Sequence, residues 1–306
     1  MVPARIKRQR GAALIVVVGL VMILFLAALA KWAMLDIERK LGQQTGSSTG
    51  LSKIDAALAN FVAQYKRLPC PADGSIASGL PNAGVEMGFP ACTSQTAGVV
   101  PWVTLGISEN DAKDPWNGRI SYRVDPALAG AATLLMNMSN CDISGTGSVA
   151  AGGACRTPTP TCIANSASCT SPATFLAGKG LDVWDGIGGA AGWAARQNNR
   201  AGGTGAAYVI ISHGATGAGA FNSNGIYQPG TIGAIAKVPP PGTQAAGNDE
   251  IPNLNNQTIA LPATQGNAYR DAPFNTSRTV SNFDDYLSHP TIQTVLGKVS
   301  LRERIH

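Results

Sequence analysis

Six cysteines follow residue 69: Cys70, Cys92, Cys141, Cys155, Cys162 and Cys169. An even set without C-x-x-C spacing reads as disulfides of an oxidising compartment, not as a zinc ribbon or a thioredoxin-type pair. Sequence-near pairing is expected: Cys70 with Cys92, Cys141 with Cys155, Cys162 with Cys169. A second chemistry is offered by Ser212 beside His213. A hydrolytic triad needs the hydroxyl to face an imidazole that is a neighbour in space, and successive strand residues point to opposite faces. No G-x-S-x-G elbow occurs. The histidines, His213, His289 and His306, lack H-E-x-x-H spacing for zinc. His213 is expected to be hydrogen-bonded where a strand enters a glycine loop. Asp284 and Asp285 are adjacent, so on a strand they would diverge, a poor arrangement for paired-carboxylate catalysis; a turn or cap is expected. Gly178, Gly180, Gly186, Gly188 and Gly189 are not followed by Gly-Lys-Ser/Thr and make no phosphate loop. No enzyme is expected.

The elements that carry these residues begin with an apolar run. From Ala12 to Ala30 no residue bears a charge or an amide, and Arg5, Lys7, Arg8 and Arg10 precede it. As a helix the run spans roughly 28 Å, about one hydrocarbon core. Cations on its N-terminal flank predict a cytoplasmic N-terminus and a chain exported beyond Lys31. The run reads as an uncleaved signal anchor, or as a secretory signal peptide cut after Ala28-Leu29-Ala30. The net charge of +5 is mostly this topology signal, since removal of the four leading cations leaves +1. No basic field remains to hold nucleic acid by counterion release. Charged residues make up only 13% of the chain, against 36 glycines and 19 prolines. A turn-rich chain with one principal helical region is expected.

Past the run, Trp32 suits an outer membrane-interface position. The Gly/Ser/Thr/Gln-rich stretch from 42 to 50 is expected to interrupt or soften the helix. Helical period returns at Leu51, Ile54, Leu58, Phe61, Val62 and Tyr65, which share one face. Ser52 and Asp55 resemble a capping box, Lys66 and Arg67 suit the negative helix end, and Pro69 ends the helix. One apolar face requires a sheet to cover it. Asp114-Pro115-Trp116-Asn117-Gly118 reads as a turn feeding a half-buried strand through Ile120, Tyr122 and Val124. Trp102 and Trp116 are expected as core aromatics. Ala127 to Met138 reads as a short helix, and about 139–175 as a disulfide-clipped surface insertion. Tyr208 to Ser212 is apolar and β-branched throughout, the pattern of a central strand buried on both faces. Residues 281–288 read as a last strand or short helix, and Leu296 to Ile305 as an exposed helical tail.

Three groups of residues carry a resemblance. Arg8-Gln9-Arg10-Gly11-Ala12-Ala13-Leu14-Ile15 resembles the leader of type IV pilin-like proteins. The segment Arg67-Leu68-Pro69-Cys70-Pro71-Ala72 is followed in order by Gly98-Val99-Val100-Pro101-Trp102-Val103-Thr104-Leu105-Gly106 and by Asp114-Pro115-Trp116. That order is similar to a group of type II secretion and pilin-like proteins. Ser212-His213-Gly214, continuing through Gly217 and Gly219, resembles the strand and loop of the major pseudopilin. The chain departs from the usual pattern in starting its mature form at Ala12 and in carrying Val16 where most pilins have Glu.

The resemblance implies cleavage by prepilin peptidase between Gly11 and Ala12, which keeps the apolar helix on the protein. It implies an α+β fold: a long N-terminal helix, membrane half plus amphipathic half, packed on an antiparallel β-sheet head. Its parts are a leader at 1–11, a transmembrane and assembly helix at 12–41, and a periplasmic head at 42–306 containing the amphipathic helix 51–67. Expected partners are other pilin or pseudopilin subunits, the peptidase and inner-membrane lipid. The major pseudopilin's loop helps to hold calcium, and the comparable residues here are Asp249, Glu250 and Asn222; a solvated acidic turn is the competing reading. The function implied is a filament subunit of type II secretion or a type IV pilus. A membrane-anchored or secreted Cys-rich binding protein, and a secreted hydrolase using His213, remain open.

Overall fold

The computed structural model describes residues 9–92, 98–130, 136–139, 175–185, 196–228, 250–254, 268–275 and 282–302. The chain divides into two compact units, Met1–Gly46 and Ser47–His306. Helix α1 is formed by Gln9–Tyr65. The stretch 42–50 is therefore helical, against expectation. Two glycines there cost about 1 kcal/mol each relative to alanine, but cooperative propagation adds a hydrogen bond per residue and carries the helix across. Ser52 is mid-helix, donating to the Ser48 carbonyl at 2.9 Å, so it caps nothing. The helix ends where Lys66 turns to φ 56°, in the left-handed region.

In the first unit, the side chains of the apolar run are described from Val17 to Lys31. Among the described residues, no helix is long and apolar enough to cross a membrane. The large apolar side chains between Val17 and Leu29 are 51–67% exposed.

The second unit is an α+β head. Its main sheet is antiparallel, in the order β1 (Ala72–Asp73), β2 (Gly98–Val99), β3 (Ser121–Val124), β6 (Tyr208–Ser212), β8 (Tyr286–Ser288). A second sheet places β4 (Asp182–Asp185) between β5 (Arg196–Asn198), antiparallel to it, and β7 (Ala268–Asp271), parallel to it. Helical turns α2 (Trp102–Leu105) and α3 (Pro126–Ala129) follow β2 and β3, and α4 (Ile292–Lys298) follows β8.

Register decides which side chains meet. Tyr122 pairs with Ile210 and Val124 with Tyr208, so all four share one face. That face and Leu51, Ile54, Leu58 and Val62 of α1 form the principal core. Ser121, Arg123, Val209 and Ile211 point the other way, where Val209 and Ile211 pack with Leu181, Val183 and Tyr269 of the second sheet. The second sheet is why β3 is buried at every position and not at alternate ones as expected; β6 is buried throughout, as its composition predicts. Residues 181–185 and 196–206 thus belong to the head's core layers and are not surface insertion.

Three further expectations change. Tyr65 is 48% exposed, stacked on Phe61 near the helix end, not buried with the rest of its stripe. Trp102 is buried beneath the Arg119 guanidinium, but Trp116 is only half-buried, facing Tyr286. The C-terminal helix is no exposed tail: Ile292, Val295, Leu296 and Leu301 join the principal core. Cys70 and Cys92 are bonded, with Cα atoms 5.0 Å apart, and close a loop of sequence separation 22. By chain-entropy reasoning that contributes about 3 kcal/mol. Cys141, Cys155, Cys162 and Cys169, and with them the insertion at about 139–175, lie outside the described residues apart from Ser139 and Phe175 at its ends.

Candidate functional site

The strongest concentration of chemistry lies where β6 ends. Ser212 and His213 diverge there, as alternation on a strand requires. The Ser212 hydroxyl donates to Asp114 Oδ2 at 3.1 Å on the α1 side of the sheet. His213 turns to the other side, with Nε2 2.7 Å from the hydroxyl of Ser121 on β3. The register explains that contact, because Ser121 lies opposite Ile211, two residues before His213 on the same face.

Beyond His213 the chain forms a glycine loop that folds tightly over acidic residues. Gly214, at φ +56°, lies so close to Asp284 that a Cβ would sit 2.2 Å from its carbonyl oxygen. At Gly219, φ +96°, a Cβ would sit 2.8 Å from His213 Cε1. Only glycine meets both the backbone angle and the approach at these positions. Thr216 of the loop donates to Asp284 twice, from its N–H to Oδ2 at 2.8 Å and from its hydroxyl to Oδ1 at 2.9 Å.

Asp284 and Asp285 precede β8 and do not diverge as strand residues would. Together with Glu250 they bring three carboxylates within 4.8 Å of one another, all buried. Glu250 Oε1 accepts from the Asp284 N–H at 2.8 Å and from Asn282 Nδ2 at 3.1 Å. Asp285 Oδ2 accepts from Asn253 Nδ2 at 2.9 Å. Burial pushes the Glu250 carboxyl far up, and the neighbouring Asp285 and Asp284 charges add to it. Asp284 is raised for the same reasons, burial first and Asp285 second. Asp285 Oδ1 stands 3.5 Å from His213 Nδ1. That separation lies within ion-pair range, but Nδ1 makes no hydrogen bond.

Ser121, His213 and Asp285 therefore follow one another in the connectivity of a hydrolytic triad. Ser121 and His213 have no exposed surface, so a substrate carbonyl cannot approach the Ser121 hydroxyl unless the layers part. Asp285 alone of the group borders a groove of about 400 Å³, which runs between Ser48–Asp55 of α1 and the β8 edge past Phe274.

Of the residues singled out in the sequence for calcium, Glu250 is buried and not a solvated turn. Asp249 lies outside the described residues. Asn222 is spent locally, its Oδ1 accepting from the N–H groups of Asn224 and Ile226. Gly11 and Ala12 lie within α1; their surroundings are outside the described residues. No local spacing announces the meeting of Glu250, Asp284, Asp285 and His213, because it joins a loop, a strand end and a strand start. The sole local hint is the glycine pattern after His213, which requires something close to the backbone. No family model, no curated protein and no solved structure matches the chain.

Proposed function

We propose that this chain is a structural subunit of a type IV pilin-like filament, a type II secretion pseudopilin or a minor pilin, assembled through its apolar N-terminal helix. One observation carries the reading: seven consecutive apolar residues of α1, Leu20 to Leu26, are each more than half exposed. At 100° per residue they sweep the whole circumference, and a helix apolar on every side requires lipid or other helices around it. The head has no such need, since its apolar residues are covered by α1 and the two sheets.

In this reading prepilin peptidase cuts between Gly11 and Ala12, the helix 12–41 rests in the inner membrane, and the head stands in the periplasm. Subunits then leave the lipid by bundling their apolar helices. Val16 stands where most pilins carry the Glu that pairs with a neighbour's N-terminal amine, so the subunit belongs at a tip or in a minor position.

Mass spectrometry of the mature N-terminus tests this. A chain beginning at Ala12, N-methylated, is expected. A chain beginning at Lys31 means a secreted soluble protein, and one beginning at Met1 a plain anchor; either discards the proposal. Recovery of the protein as the bulk component of a purified filament discards the minor position.

A further inference from the structure

Three buried carboxylates within 4.8 Å and an imidazole nitrogen without a hydrogen bond converge at the start of β8. The 4.8 Å limit is twice the oxygen–metal distance of common divalent ions, about 2.1–2.6 Å, so one ion reaches an oxygen of each residue. His213 adds a donor of a different kind. When its Nε2–H donates to Ser121, Nδ1 carries the lone pair, and that lone pair faces Asp285 Oδ1 at 3.5 Å. Two electron-rich atoms facing each other without a proton between them repel. Two ligands of one cation, each about 2.1 Å from it, stand about 3.0–3.5 Å apart.

The surroundings match those of built metal sites, where outer hydrogen bonds fix the ligands. Thr216 holds Asp284, Asn253 holds Asp285, Asn282 holds Glu250, and Ser121 fixes the His213 ring. Asp285 borders the groove beside β8, which supplies an entry path.

We propose that Glu250, Asp284 and Asp285 hold one divalent transition cation of the manganese class, with His213 Nδ1 as a nitrogen ligand at its rim. Carboxylates suit magnesium, calcium and manganese, whereas imidazole suits transition ions, and manganese is common to both preferences. The ion ties the loop at 250–254, the glycine loop at 214–219 and the edge strand β8 to one point.

The test uses the full-length protein in detergent, stripped with chelator and titrated separately with Mn2+ and Ca2+. One equivalent of Mn2+ is expected to bind, and pulsed electron paramagnetic resonance is expected to show nitrogen coupling that His213→Gln removes. Glu250→Gln is expected to weaken Mn2+ binding at least tenfold while the metal-free variant melts no lower than metal-free wild type, which separates lost ligation from lost folding. Asp285→Asn provides a second variant with the same expected loss. Absence of Mn2+ binding to the folded protein overturns the proposal. So do Mn2+ bound without nitrogen coupling, affinity unchanged in both carboxylate variants, or binding of Ca2+ alone.

Discussion

Asp114 and Arg119 bracket the turn that feeds β3, and each is buried for a different reason. Asp114 Oδ1 accepts from the N–H groups of Gly118 and Trp116, while Oδ2 accepts from Ser212. Burial nonetheless outweighs these bonds and raises its pKa from the ordinary 3.8 to about 6. A carboxyl with a raised pKa in the folded state gives stability that is full below about pH 4 and lost as pH rises through about 6. Asp114→Asn keeps an acceptor for Gly118 and never ionises. Its stability relative to wild type is expected to improve by about 3 kcal/mol between pH 4 and pH 7. Denaturant unfolding at the two pH values measures this, and an unchanged difference removes Asp114 as the titrating group.

Arg119 has no exposed surface. Its guanidinium donates to the carbonyls of Gly74 and Ile76 at 2.9 and 2.7 Å and to Ser78 Oγ at 3.0 Å, and lies 5.0 Å from the Trp102 ring centroid. One planar fork thereby fixes the loop after β1 and the turn before β3. Arg119→Ala leaves those carbonyls unpaired and is expected to cost about 3 kcal/mol in denaturant unfolding. Arg119→Lys is expected to recover only part, because an ammonium cannot span the same acceptors. Full recovery by lysine would show that charge alone matters there.

At the scale of elements, the second half of α1 is the head's main structural member. Ile54, Leu58 and Val62 are wholly buried against Tyr122 and Tyr208. Asp55, on the neighbouring flank, accepts from the Tyr208 hydroxyl at 2.9 Å and the Ser288 hydroxyl at 2.7 Å, tying α1 to β6 and β8. Leu58→Ala removes side-chain atoms from the middle of that contact and is expected to cost 2–5 kcal/mol, a range of order-of-magnitude width (~). Tyr65→Ala, at the exposed end, is expected to change stability by about 0.5 kcal/mol or less. Equal losses at the two positions would mean that the helix does not rest on the sheet through its 54–62 face. Glu86 plays a similar part just past the helix, taking both nitrogens of Arg67 at 2.8–2.9 Å and the Cys70 N–H at 2.9 Å beside the disulfide.

For the whole molecule, the division into Met1–Gly46 and Ser47–His306 separates exposed apolar surface from covered apolar surface. A chain starting at Ser47 retains the entire buried face of α1. It is expected to be folded and monodisperse in size-exclusion chromatography without detergent, whereas the full chain requires detergent. A truncated chain that still aggregates would place the exposed apolar surface in the head and remove the support for assembly through the helix.

The sequence by itself determined whatever follows from period and local chemistry. The 3.6-residue spacing from Leu51 to Val62 marked the buried helix face, the unbroken β-branched run at 208–212 marked a strand covered on both sides, and the nearest cysteine pair, Cys70 with Cys92, was the bonded one. Those signals lie within one element or across one short loop. The tertiary structure alone decided matters that depend on register between distant segments. Strand pairing turned Ser121 toward His213, the second sheet covered Arg123 and Ile211, and the chain's return before β8 set Asp284 and Asp285 beside Glu250. Each is a meeting of residues whose separation in the chain carries no periodic trace, so the composition and spacing around any one of them looks like an ordinary loop.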